Sequence, residues 1–145
     1  MNMFEVVIAN FLDREGFVAE VYFESIQWAE VFKEENRVLI RFFAHPHKKH
    51  WECPCEDSIK VIEQVKMKLL LRYGKGSFLE QETSSSVEQI NLQTDLMLEE
   101  IINHPERRLV SECLERFGDV ISIYDPQGRG VRYSDNGEFI GFLEQ

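Results

Sequence analysis

The chain has 145 residues, 43% of them hydrophobic and 12% aromatic, and a formal net charge of −10. That length admits one ordinary domain or two very small ones, and no apolar run approaches the ~18–20 residues of a membrane-spanning helix. The charge is unevenly spread: residues 1–75 hold eleven Lys/Arg and twelve Asp/Glu, whereas residues 76–145 hold five Arg, no Lys and fourteen Asp/Glu. A field of that sign repels nucleic acid and anionic membrane and steers basic partners, which makes nucleic acid an unlikely ligand on bulk charge alone.

The N-terminus, MNMFEVVIANFLDRE, lacks a basic leader region and meets acids at once, so it reads as a first strand rather than a secretory signal. Four β-branched and aromatic runs follow one another: FEVVIANF (Phe4–Phe11), FVAEVYFE (Phe17–Glu24), QWAEVFKE (Gln27–Glu34) and RVLIRFFAH (Arg37–His45). They predict an antiparallel meander. In the second run Phe17, Ala19, Val21 and Phe23 alternate with Val18, Glu20, Tyr22 and Glu24, which predicts an apolar face on a core and a mixed face outward.

A helix capped by Asp57 or Ser58 is predicted to run to about Tyr73, since Ile62, Val65, Leu69 and Tyr73 recur at steps of three and four. GKGSFLEQETSS (Gly74–Ser85) has little periodicity and reads as a linker near residue 80. SSVE (Ser85–Glu88) is a capping-box pattern that opens a second helix, ended near Asn103 by His104-Pro105. Four further strands are predicted: RRLVSEC (Arg107–Cys113), DVISIYD (Asp119–Asp125), GVRYS (Gly130–Ser134) and EFIGFLE (Glu138–Glu144), with Asp135-Asn136-Gly137 as a tight hairpin turn. The expected fold class is therefore α+β: an N-terminal four-stranded antiparallel meander plus helix, then a helix followed by a four-stranded antiparallel sheet. The expected division is residues 1–76 as a ββββα unit, 77–84 as linker and 85–145 as an αββββ unit.

Five possible metal ligands crowd AHPHKKHWECPC: His45, His47, His50, Cys53 and Cys55. Zinc favours imidazole and thiolate, but Cys-x-Cys is not the Cys-x₂-Cys knuckle and no second arm exists. The preferred reading is a strand end and polar turn, with no metal and no cofactor. Three cysteines are too few for a disulfide framework and suit a reducing, cytoplasmic setting. Cys113 falls in an alternating strand context and reads as an inert thiol. No phosphate-binding glycine loop, dinucleotide fingerprint or metalloprotease helix is present. Arg129, Arg132, Tyr133 and Ser134 near the chain end could hold a phosphate in a ribonuclease site, with paired carboxylates as the alternative for both arginines.

The stretch HPERRLVSECLERFGDVISIYDPQGRGVRYSDNGEFIGFLEQ (His104–Gln145) resembles the C-terminal end of polymorphic and contact-dependent bacterial toxin domains of the barnase/colicin-like ribonuclease fold. The likeness lies in Gly128-Arg129-Gly130, Asp135-Asn136-Gly137 and Phe139–Glu144; where such toxins carry basic or histidine residues this chain has Ser111-Glu112-Cys113-Leu114-Glu115. Phe4–Val31, with Trp51 and the helix after it, is similar to small proteins of toxin-immunity neighbourhoods. Charge and the missing catalytic set then favour a non-enzymatic, immunity-type antitoxin that presses an acidic surface (Glu88, Asp95, Glu99, Glu100, Glu112 and Glu115) on a basic nuclease toxin. The alternative is a degenerate or active RNase toxin fragment fused to an immunity-like domain. A homodimer formed through a sheet edge is a third possibility.

Overall fold

The fold is taken from a computed structural model that describes residues 3–11, 16–75 and 87–145. Strand β1 is Phe4–Phe11, β2 Val18–Phe23, β3 Ile26–Glu34 and β4 Arg37–Phe42; helix α1 is Cys55–Lys75 and α2 Val87–Ile102; β5 is Arg108–Leu114, β6 Gly118–Tyr124, β7 Arg129–Ser134 and β8 Phe139–Glu144. Each strand falls within a few residues of its β-branched and aromatic run. The connections form where the chain accepts positive φ, as at Gly137 (88°), Gly128 (87°) and the Glu24-Ser25 pair (49° and 68°). The expected linker, residues 77–84, lies outside the described residues. Among the described residues no helix is long and apolar enough to cross a membrane.

The expected pair of four-stranded sheets is corrected to one eight-stranded antiparallel sheet, in the order β4-β3-β2-β1-β8-β7-β6-β5. The two meanders fuse because β1 and β8 pair along one side each, from Ile8↔Glu144 to Phe11↔Gly141. Each meander alone would leave a long apolar edge open, and pairing the two edges satisfies both rows of backbone groups. The approach is tight: a Cβ at Gly141 would lie 2.5 Å from the Asn10 carbonyl oxygen and 2.9 Å from Phe11 Cδ1. Gly141→Val is therefore expected to cost roughly 1–3 kcal/mol or more by forcing the strands apart. Urea unfolding checks this, and a midpoint equal to that of the wild type would show that the junction tolerates a side chain.

The sheet curls. Phe43 and Ala44, just past β4, line one cavity with Cys113, Leu114 and Glu115 from the other end of the strand order. Seven strand spacings would put these edges about 34 Å apart in a flat sheet, so the two edges have been brought face to face.

Both helices cover the outer face. Val61, Val65 and Leu69 of α1 pack on Phe4, Ile8, Phe17, Ala19, Val21, Phe23, Trp28 and Val31, while Ile101 of α2 packs on Val131 and Phe142. The alternate residues Val7, Ala9, Phe11, Val18, Tyr22, Phe32, Val120, Tyr124 and Leu143 form a separate cluster on the concave face. This reverses the expectation for the mixed face of β2: Glu20 and Tyr22 point into the curl and are buried, because the sheet folds over them.

Candidate functional site

Period-two alternation decides which charged residues meet inside the curl. Glu20 and Tyr22 on β2, Ser122 on β6, Arg132 on β7 and Glu112 on β5 all lie on the concave face. Arg132, with no exposure, donates from Nη1 to Glu20 Oε2 at 2.7 Å and from Nη2 to Glu20 Oε1 at 2.9 Å. Its Nε donates to Ser122 Oγ at 3.2 Å, and its guanidinium lies 5.6 Å from the Phe11 ring centroid. Tyr22 Oη donates to Glu20 Oε1 at 2.8 Å. The fork-on-fork geometry satisfies a pair that would otherwise be costly to bury. Burial opposes the Arg132 charge, yet the Glu20 carboxylate overrides it and holds the guanidinium above its usual range. Burial likewise raises the Tyr22 hydroxyl, with the Glu20 charge adding to it.

Glu112 is the partly open member of this network, with Oε2 3.8 Å from Arg132 Nη2. Burial pushes its carboxyl above the usual value, and Glu20 adds to that; Arg132, already committed to Glu20, opposes the rise only in part. An acid whose folded-state value is raised binds more protons folded than unfolded, so its contribution to stability falls as pH rises from the ordinary carboxyl value, 4.5, toward the raised one. Glu112→Gln is expected to remove that fall, and the wild-type-minus-variant stability difference measured by urea unfolding at several pH values should decline across this window. A difference that does not change with pH would contradict the burial assigned to Glu112.

At the mouth of the curl the same pattern recurs with more solvent. Arg41 on β4, whose side chain is 54% exposed, donates from Nη1 to the buried Glu30 Oε1 on β3 at 2.6 Å. It lies 4.9 Å from the centroid of Phe32. Opposite, Arg116 in the β5–β6 turn lies over Phe11 and Phe117 at 5.4 and 5.2 Å. Glu30, Arg41, Phe42, Phe43, Ala44, Glu115 and Arg116 line one cavity of about 500 Å³. Two guanidinium groups and two carboxylates, Glu30 and Glu115, thus line an open cleft together with Phe42 and Phe43, a set able to hold an oxyanion and accept a proton.

The residues singled out from sequence scatter. Arg129 donates from Nε to Asp125 Oδ2 at 2.8 Å and from Nη2 to Glu100 Oε2 at 3.2 Å, on the outer face. Arg132 turns inward, while Tyr133 packs on Phe139 on the other side of the strand. Ser134 donates to Asn136 Oδ1 and accepts from the Glu138 amide, holding the hairpin turn. Neighbouring strand residues point to opposite faces, so these four side chains do not form one phosphate site. Among the acids, Asp95, Glu99 and Glu100 are exposed on α2, Glu112 faces the interior and Glu115 lines the mouth; the Glu88 side chain lies outside the described side chains. The five with described side chains are not all on one face. In the His/Cys segment His45 Nδ1 accepts from the His47 and Lys48 amides at 3.0 and 3.1 Å, His50 pairs with Glu52 at 3.2 Å, and Cys53 packs against the α1-side core. Among the described residues no group of three or more His, Cys, Asp or Glu side chains is placed to hold a metal ion. Cys113 is exposed, and a hydrogen bond with Asp119 raises its thiol, with burial adding to it, which disfavours the thiolate. Sequence reasoning missed Glu30, Arg41 and Arg116, whose only signal was that arginine and glutamate interrupt otherwise apolar strands and turns.

An antiparallel sheet curled around an arginine–glutamate interior, with a cleft lined by two arginines and two glutamates where its edges meet, defines the class of scaffold. Residues 73–144 match the family model of the CdiA C-terminal tRNase toxin domain, a span that takes in α2 and β5 to β8. This match supports a relation to contact-dependent toxins and corrects the expectation of an immunity-type antitoxin, since the matching family is the toxin nuclease itself. No curated protein and no solved structure matches the chain.

Proposed function

We propose that this protein is a ribonuclease of the contact-dependent toxin class that cleaves transfer RNA, with its chemistry at the mouth of the curled sheet. The family match over residues 73–144 carries this reading. The order of α2 followed by β5, β6, β7 and β8 supports a barnase/colicin-like unit in that segment. Arg41 and Arg116 take the scissile phosphate, and Glu30 takes the proton of the adjacent 2′-hydroxyl once Arg41 has turned from it to the phosphate. The 2′-oxygen attacks phosphorus, the bond to the 5′-oxygen breaks, and that oxygen takes a proton from water. A 2′,3′-cyclic phosphate and a 5′-hydroxyl result. The guanidinium pair stabilises the extra charge on the phosphate oxygens in the transition state.

The partner this reading implies is an immunity protein that covers the groove, in place of the basic toxin expected from charge. The full chain incubated with mixed transfer RNA without added metal is expected to give fragments ending in cyclic phosphate. Intact transfer RNA at micromolar enzyme would end the proposal.

A further inference from the structure

We infer that the groove continues past Arg41 and Arg116 into a nucleotide pocket built by the segment between β4 and α1, where single-stranded RNA beside the cleaved bond is held. The inference rests on the ribonuclease reading for the identity of the ligand, and on geometry for the pocket.

Three cavities follow one another along the seam, each sharing lining residues with the next. The catalytic mouth shares Phe43, Ala44 and Glu115 with a middle cavity of about 150 Å³. The middle cavity shares Ile26 with a third, of about 360 Å³, lined by His45, Lys48, Lys49, His50, Trp51 and Glu52 among others. These shared residues set the three cavities in a row, which is the course inferred for a strand of RNA leaving the mouth.

The third cavity offers what such a strand needs. In a chain of net charge −10, residues 45–50 carry two lysines and three histidines and no acid, and the acids that line the same cavity are Glu24 and Glu52, the latter paired with His50. Both lysines are exposed, and His45 Nδ1 pins their loop by accepting from two of its amides. Burial lowers the His45 ring from its usual value, in keeping with a neutral ring that accepts hydrogen bonds. The Trp51 indole is fixed by donating from Nε1 to the Phe43 carbonyl at 2.7 Å and lies 4.5 Å, centroid to centroid, from the His45 ring. A half-buried aromatic surface beside cations is the sequence-tolerant way to hold unpaired bases and their phosphates. Between the two ends, Gln27 Oε1 is a buried acceptor with no hydrogen-bond partner among the described residues, and Gln27 lines the middle cavity. A base amino group threading the seam would satisfy it.

The test uses a fluorescent single-stranded RNA with 2′-O-methyl groups throughout, which cannot be cleaved through the 2′-oxygen. Its binding to the full chain is followed by anisotropy over a range of salt. Lys48→Ala with Lys49→Ala is expected to weaken binding roughly tenfold, equally for several sequences, and to make the plot of log affinity against log salt shallower by about 1 to 2. Because both side chains are exposed, the thermal midpoint should hold. An unchanged slope and affinity in the double variant overturns the inference, as does a wild-type chain that fails to bind the probe. A wild-type chain that binds it through these lysines yet leaves transfer RNA whole upholds the pocket and removes the ribonuclease reading instead.

Discussion

Arg116→Ala is expected to slow cleavage of transfer RNA by roughly 100- to 1,000-fold, the usual effect of removing one preorganised donor to a developing oxyanion. Arg116 comes from the β5–β6 turn, inside the segment that matches the toxin family, while Arg41 and Glu30 come from the N-terminal meander. The cleft is therefore complete only because the sheet curls. Stacking on Phe11 and Phe117 holds the guanidinium plane before substrate arrives, so little ordering remains for the transition state. Arg116→Lys should recover only part of the rate, since an ammonium keeps the charge and loses the planar fork. Single-turnover rates with each variant, alongside a thermal melt, check this. A wild-type rate for Arg116→Ala would place the chemistry elsewhere.

Arg132→Ala is expected to be among the most destabilising single changes, costing about 3–5 kcal/mol, because it strands the Glu20 carboxylate in the interior. Arg132 and Glu20 are 0% and 1% exposed and bridge β7 to β2 across 112 residues of sequence. Glu20→Ala should cost a similar amount for the mirrored reason. Replacing both with apolar residues, Glu20→Leu with Arg132→Met, should restore much of the loss, since neither partner is then left unpaired. Urea unfolding of the four proteins gives the cycle. A loss below about 1 kcal/mol for either single variant would mean that water reaches the pair.

The same geometry reconciles an acidic chain with the polyanionic substrate proposed for it. Glu100 and Asp125 are engaged with Arg129 on the outer face, and Glu20 and Glu112 are turned into the interior around Arg132. Arg41, Lys48 and Lys49 are exposed along the seam, while other exposed cations such as Lys60, Lys66 and Lys68 lie on α1. Net charge averages over surfaces that an RNA never touches at the same time, and the local field in a cleft governs encounter.

Local structure could be read from the sequence because it is governed by local physics. The Asp135-Asn136-Gly137 turn, the apolar runs and the stripe of α1 each depend on residues a few positions apart, and α2 ends at Ile102, close to the stop expected from His104-Pro105. The junction of β1 with β8 has no such signature. Gly141 could have hinted at close backbone approach, but nothing in FEVVIANF or EFIGFLE says which partner each prefers. The mixed face of β2 misled for the same reason: Glu20 and Tyr22 read as solvent-facing until a guanidinium arrives from β7. The cleft depends on the curl as well, so Glu30, Arg41 and Arg116 could not be assembled from spacing, and the closing hairpin drew attention to Arg132, which turns inward.

Transfer RNA integrity in cells induced to express the full chain or its Glu30→Gln variant tests the central claim most directly. The account predicts growth arrest and discrete transfer RNA fragments with the wild-type chain, and intact transfer RNA with Glu30→Gln at equal protein level. Fragmentation by both proteins, or by neither, would contradict it.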